Sequence, residues 1–469
     1  MKRSVYEPLP VTEALLQKAE QYEKETENRF LSGLVVLHIN HCMENSFAFS
    51  ALLERYFYHC VFAGVPYNDT MPEEDEAFLH CTGQRLPGDR YFLYEGETCF
   101  YEGSGDFLGM TERLIWRALS VQVLPFLKEG KRLLIIEDGG YHYPVLARFL
   151  SAYPEYQGRI AGAVEQTASG TLRMRAAGEK CGFGYPCCSI SRSALKMRIE
   201  SRFIGHRVTE ELASFLYSAN AFLDFHEVLI LGYGIVGRQV SMDLKSRSCR
   251  ITVRDTDARM EAAARRDGFA TGLYQVFDRD LIVIGCSGAD SFPKELLSAF
   301  LQGKANRLYL ASASSQDREF AEFLRMAGGG EALPEGAVLT VREKSEFYTC
   351  YEISVKSNRK EIYLIAEGLP VNFYRKGGIS LTHSVIDIIF ADLLSAGLAF
   401  SFYPDMKNQL WLLGTGAFRP FVSEEEIASL WYRSYGLIPE DSALLPAGHP
   451  EMEYLTEKML SEGSWRKNW

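Results

Sequence analysis

No block of lysine and arginine occurs anywhere in this 469-residue chain, and its formal net charge is −11. Binding a phosphate backbone needs clustered positive side chains, so nucleic acid is not expected as a partner. Nor is there a long apolar run free of charge. The longest, Ser384 to Tyr403, contains Asp387 and Asp392, each costly at the centre of a bilayer, so it reads as a buried helix and no membrane partner is expected. The opening residues, Met1 to Pro8, lack an apolar signal core, which favours a cytoplasmic location over export. Ten cysteines are present without metal-type spacing, the tightest group being Cys181, Cys187 and Cys188. They read as free thiols, and no metal site is expected. Internal repeats and low-complexity tracts are also lacking, which excludes solenoid and linker-like architectures.

What is present is ordinary for a large globular protein: 47% apolar and 24% charged residues. A chain of this length outgrows a single core, so two or three domains are expected. In the N-terminal third, apolar runs alternate with helical patterns. Leu34 to His38 reads as a strand, Ser46 to Tyr56 as a helix, Cys60 to Val65 as a second strand, and Arg132 to Ile136 as a later strand ending in Glu137-Asp138-Gly139-Gly140. Strands separated by helices imply a parallel sheet that binds ligands at the carboxyl ends of its strands, where His38 and Asp138 fall. Residues from about Asp69 to Phe107 read as an irregular insertion. A long helical pattern from Ser201 to Phe225 leads to more short buried strands, Leu281 to Gly285 and Arg307 to Ala311. The expected fold is α/β, with two Rossmann-like domains built on parallel sheets. An N-terminal domain (1–205, completed by about 380–403) would hold an inserted second domain (206–379), followed by a C-terminal extension (404–469).

The sharpest motif lies in that second domain. The apolar strand Val228 to Leu231 runs into Gly232-Tyr233-Gly234-Ile235-Val236-Gly237, and eighteen residues past the last glycine, at the end of Arg250 to Arg254, stands Asp255. Gly232 permits a tight turn, Gly234 lets backbone approach a pyrophosphate, and Gly237 lets the next helix pack on the strand. The helix from Ile235 would aim its first N–H groups at the phosphates. Asp255 would accept from both ribose hydroxyls and repel a 2′-phosphate, favouring NAD over NADP, with Arg254 beside it weakening the preference.

The order of landmarks resembles the S-adenosyl-L-homocysteine hydrolase (adenosylhomocysteinase) family. A strand ends in Asp-Gly-Gly, and Glu165-Gln166-Thr167-Ala168-Ser169-Gly170 follows. Lys196 comes next, then a long helix into the glycine turn, and Ala366-Glu367-Gly368 followed by Val371-Asn372 closes the series. The resemblance runs from about Leu34 to about Leu398. It implies that bound NAD oxidises the 3′-hydroxyl of a nucleoside thioether, after which a thiol is eliminated, water adds, and the ketone is reduced again. By the same resemblance Lys196 takes the hydroxyl proton, Glu200 stands in for the family's aspartate, Asp138 is an acid/base, and His38 serves the leaving group. Thr167, Ser169, Ser201 and Asn372 would join Gly232, Gly234, Ile235, Val236, Gly237 and Asp255 around the cofactor, with Asn40 and Gln166 on the substrate.

This sequence also departs from the family. Gln166 replaces the glutamate that grips the ribose, and Ser191 and Ser201 replace asparagines. Ala311 to Ser315 lacks the leaving-group histidine, and Phe373 to Ile379 lacks the adenine-recognising Gly-His-Pro, with His383 displaced. The family's terminal arm finds no match in Ser464 to Lys467. The resemblance implies a homotetramer, and without that arm a dimer stands beside it. Two functions follow from this balance. One is an NAD-dependent hydrolase or oxidoreductase acting on a nucleoside-like small molecule, and the other is an NAD-binding pseudoenzyme with a regulatory or partner-binding role. An amino-acid or 2-hydroxy-acid dehydrogenase sharing only the Rossmann half is a third.

Overall fold

A computed structural model describes residues 7–26, 30–41, 43–65, 91–92, 107–273, 276–314, 319–356, 358–373, 381–403 and 405–438. Most of the expected insertion at 69–107, the glycine pair at 377–378 and the tail around 464–467 lie outside the described residues. The chain divides into two compact units, one formed by 7–200 with 382–438 and the other by 201–381.

The first unit is built on strands β1 (Leu34–His41), β2 (His59–Val65), β3 (Tyr91–Phe92), β4 (Arg132–Glu137), β5 (Ile160–Glu165), β6 (Cys187–Ser189) and, from the far end of the chain, β15 (Leu410–Leu412). They pair in the order β15-β6-β5-β4-β1-β2-β3, every pairing parallel. Val, Ile and Leu fill Leu34–Leu37 of β1 and Leu133–Ile136 of β4, as expected of strands covered on both faces. The segment after 404, expected as an extension, supplies the edge strand β15 and the helix Glu424–Ser434, which packs against the helix His383–Phe402.

That helix is long and apolar enough to cross a membrane, yet nearly all of it is buried inside the unit. It lies on β4 and β5, where a Cβ on Gly397 would stand 3.3 Å from the Leu134 side chain and 3.4 Å from that of Val164, and Gly162 makes room for the Phe400 ring. One of its acids, Asp387, has a structural task. Its carboxylate accepts from the backbone N–H groups of Val11 (2.8 Å) and Thr12 (2.9 Å), from Thr12 Oγ1 (2.7 Å) and from the Tyr435 hydroxyl (2.9 Å). It therefore caps the helix Pro10–Thr26 from the opposite end of the sequence.

The second unit carries β7 (Glu227–Leu231), β8 (Arg250–Arg254), β9 (Ala270–Thr271), β10 (Leu281–Gly285), β11 (Arg307–Ser312), β12 (Ala337–Lys344), β13 (Tyr348–Val355) and β14 (Asn358–Ile365). Their order is β12-β13-β14-β11-β10-β7-β8-β9. From β14 to β9 the pairing is parallel, but β12, β13 and β14 form an antiparallel meander. The expected parallel Rossmann-like sheet is present, with an antiparallel meander added at its edge. The links between these three strands are only a few residues long, and such links can join only antiparallel neighbours. The helix Ser201–Ser218 packs across Ile235–Lys245, with Gly205 leaving no room for a side chain against Gln239.

Candidate active site

In the first unit the strand order reverses between β1 and β4, and ligands of an open parallel sheet bind beyond the strand ends at such a reversal. Asp138 follows β4 there, its N–H bonded to the Ile39 carbonyl at 2.9 Å. One of its carboxylate oxygens accepts from Gln166 Nε2 at 2.8 Å, and the other lies 3.7 Å from His41 Nε2. An acid flanked by an imidazole and an amide can give or take a proton while its orientation stays fixed. Asn40 lies at the same strand end, where its Oδ1 accepts from the His41 backbone N–H at 2.7 Å.

His41, not His38, ends β1 and reaches this group. The expected strand stopped at the first polar residue, whereas the structure continues it through Ile39, Asn40 and His41. His38 lies mid-strand and fully buried, its Nδ1 2.7 Å from Ser50 Oγ and its ring centroid 5.1 Å from that of Phe49 and 5.3 Å from that of Phe62. Burial pushes its pKa down to about 3. It is a neutral core histidine at physiological pH.

Thr167 caps the helix Ala168–Cys181, accepting from the Gly170 N–H at 3.0 Å, and its hydroxyl lies 3.4 Å from that of Ser169. Further along, Lys196 and Glu200 share a single π-turn and form an ion pair, Nζ 2.9 Å from Oε1 and 2.7 Å from Oε2, with side chains only 12% and 8% exposed. Two acids that sequence reading did not assign to this place surround them. Glu424 Oε1 accepts from the N–H of Ala194 and of Leu195. Asp392 is fully buried. Burial, then Glu424, pushes the Asp392 carboxyl well above its ordinary range. Among the described residues no hydrogen bond or ion pair connects Lys196 or Glu200 to Asp138, His41 or Gln166.

In the second unit the strand order reverses between β7 and β10, and the glycine turn sits at that point. Gly232 has φ +95°, and a Cβ on it would stand 2.8 Å from the Ser287 backbone. A Cβ on Gly237 would stand 2.0 Å from the Gly232 carbonyl oxygen, whereas Gly234 faces open space. The two outer glycines are therefore required by the fold, and the middle one leaves a clear approach in front of the helix that begins with Ile235 and Val236. Asp255 closes β8 and accepts from the N–H of Tyr233 (2.7 Å) and of Asp257 (2.8 Å). These contacts point its carboxylate at the turn with acceptor capacity to spare. Ser201 and Asn372 are both buried in this unit, where the short turn Val371–Phe373 packs on the helix Ser201–Ser218. These residues fit a dinucleotide.

No family model matches the chain. Among curated proteins it is 25% identical to the S-inosyl-L-homocysteine hydrolase of Methanothermobacter thermautotrophicus over 260 residues, 55% of this chain and 57% of that one. It is 22% identical to the adenosylhomocysteinase of Archaeoglobus fulgidus over 262 residues, 55% and 58% of the respective chains. The chain is thus similar, at low identity, to adenosylhomocysteinases and S-inosyl-L-homocysteine hydrolases. It spans a little over half the length of those two curated proteins. A solved structure of a 2-hydroxyacid dehydrogenase from Ketogulonicigenium vulgare aligns with 78% of this chain and 96% of its own, at 10% identity and a TM-score of 0.38.

Proposed function

We propose that this adenosylhomocysteinase relative is an NAD-dependent enzyme that oxidises a secondary hydroxyl, of the 3′ type, on a nucleoside or related thioether. Elimination, hydration and re-reduction would complete its cycle. The observation that carries this reading is the Lys196–Glu200 pair, held largely out of water in a chain whose second unit presents a turn shaped for a dinucleotide. NAD, when bound, supplies reversible removal of a hydride from the carbinol carbon.

The protein's own residues handle the protons. Lys196 takes the hydroxyl proton, and the Glu200 carboxylate keeps its amine oriented while balancing the ammonium that results. The ketone acidifies the neighbouring C–H, whose proton Asp138 accepts. His41, at the end of β1, is the group that protonates the departing sulfur and later accepts a proton from the incoming water. Gln166 holds Asp138 and offers its carbonyl to a ribose hydroxyl.

The test incubates purified protein with NAD and, in turn, adenosine, inosine, S-adenosylhomocysteine and S-inosylhomocysteine, following absorbance in the NADH band. Reduction with at least one of them, lost in Lys196→Ala, is expected. A Lys196→Ala protein that reduces cofactor as fast as the parent would refute the assignment of the base. The neutral Gln166 and the hydroxyls of Ser189 and Ser191, which are bonded to each other at 2.8 Å, also favour a second reading, an NAD-binding pseudoenzyme. That reading predicts dinucleotide binding without reduction by any of the four compounds.

A further inference from the structure

Glu165 is the last residue of β5, directly before Gln166, and it is completely buried. Its carboxylate accepts from Gly139 N (3.0 and 3.1 Å to its two oxygens), Gly140 N (2.8 Å), Thr167 N (2.7 Å) and Thr167 Oγ1 (2.6 Å). The first two donors belong to the turn just after Asp138, and the last two to the residue just after Gln166. One side chain therefore ties together the two loops that carry the interacting pair Asp138 and Gln166.

The surroundings are shaped for this carboxylate. A Cβ on Gly170 would stand 2.2 Å from Glu165 Oε1, and a Cβ on Gly140 would stand 2.3 Å from the Gly170 carbonyl oxygen. Gly139 and Gly140 have φ of +117° and +68°, a backbone path that side chains other than glycine rarely follow and that turns both N–H groups inward. On the far side of the turn Arg173 Nη1 donates to the Gly139 carbonyl, and its guanidinium lies 4.5 Å over the Tyr141 ring. The adjacent strand repeats the device. Glu137, register partner of Glu165, accepts from Tyr141 N, His142 N and His142 Nδ1. A buried carboxylate with this many fixed donors holds its neighbours in one arrangement, because every alternative strands a donor or an acceptor out of water.

We propose that Glu165 is a positioning residue of the active site, whose carboxylate clamp sets the distance between Asp138, Gln166 and His41. This rests on the functional reading above for its catalytic consequence, though not for its geometry. Glu165→Gln keeps the volume but turns an amide NH2 towards N–H donors, so at least one loop must move.

The experiment uses the full chain, the substrate that turns over in the assay above, and protein carrying isotopically labelled histidine. In Glu165→Gln, kcat falls about 100-fold, the loss expected when a reacting group is misplaced by about 1 Å. KM changes little and NAD affinity stays within about twofold of the parent. Ring signals of His41 move while those of His226, in the other unit, stay. Glu165→Asp, which keeps a carboxyl acceptor, recovers part of the lost kcat. Unchanged His41 signals together with kcat within about threefold of the parent would overturn the proposal. Should the parent turn over none of the compounds, the His41 signals alone decide the clamp, moving if it holds and still if it does not. Where Glu165→Gln does not fold, Gly170→Ala, which pushes on the same carboxylate, gives the same readouts with the same two outcomes.

Discussion

Acid should weaken the first unit through His38. In the folded chain this imidazole binds a proton only below about 3, against 6.5 in an unfolded chain. The unfolded state therefore takes up a proton as pH falls that the folded state refuses, so stability present above pH 6.5 is lost on the way down to 3. Integrating the two titrations gives a loss of about 2 kcal/mol between pH 7.5 and 5, and about 3 kcal/mol by pH 4. With a denaturant slope of about 2 kcal/mol per molar, the urea midpoint falls by about 1 M from pH 7.5 to 5 on this account alone. The control is His38→Phe/Ser50→Ala, which suits the ring of Phe49, Phe62 and Phe390 and removes both partners of the hydrogen bond. Circular dichroism at both pH values then reports the difference, since every other titrating group is common to the two proteins. If parent and double variant lose the same stability on acidification, His38 does not titrate as its burial dictates and the reasoning fails.

Three further outcomes follow from the geometry. The same double variant should keep turnover within about threefold, while His41→Ala lowers kcat by about 100-fold, as loss of an acid/base group does; equal losses in the two would contradict the assignment of the strand end. Asp387→Ala should lower stability by about 2–4 kcal/mol, because it leaves the N–H groups of Val11 and Thr12 and the Tyr435 hydroxyl without their acceptor. A thermal midpoint within a degree or two of the parent would refute that. Asp255→Ala should weaken NAD binding and narrow its preference over NADP, and calorimetric titration with each dinucleotide checks both.

The glycine turn was legible because its constraint is local. Six consecutive residues, one strand and one acid carry the whole signal, and the structure gives Gly232 and Gly237 no room for a side chain. The end of β1 was harder. Hydrophobic pattern ends a strand at the first polar residue, yet His38 bonds Ser50 through Nδ1 and packs among aromatic rings, and Asn40 bonds the next backbone N–H, so the strand continues through both. The meander β12 to β14 was missed for the opposite reason. Its edge strand, Ala337 to Lys344, is largely exposed and ends in Arg-Glu-Lys, leaving little apolar alternation to read. Asp392 and Glu424 join the neighbourhood of Lys196 only through tertiary packing, and no spacing rule reaches across some two hundred residues.

The helix cap supplied by Asp387 has a consequence for how the molecule is made. A ribosome releases residues 11 and 12 more than 370 residues before 387, so the helix Pro10–Thr26 waits through that interval of translation for its acceptor. The intervening unit, contiguous from 201 to 381, has all its strands in hand long before then. The first unit, built from segments on either side of it, must be completed afterwards, and nascent chains stalled before residue 387 should hold one folded unit and one open sheet.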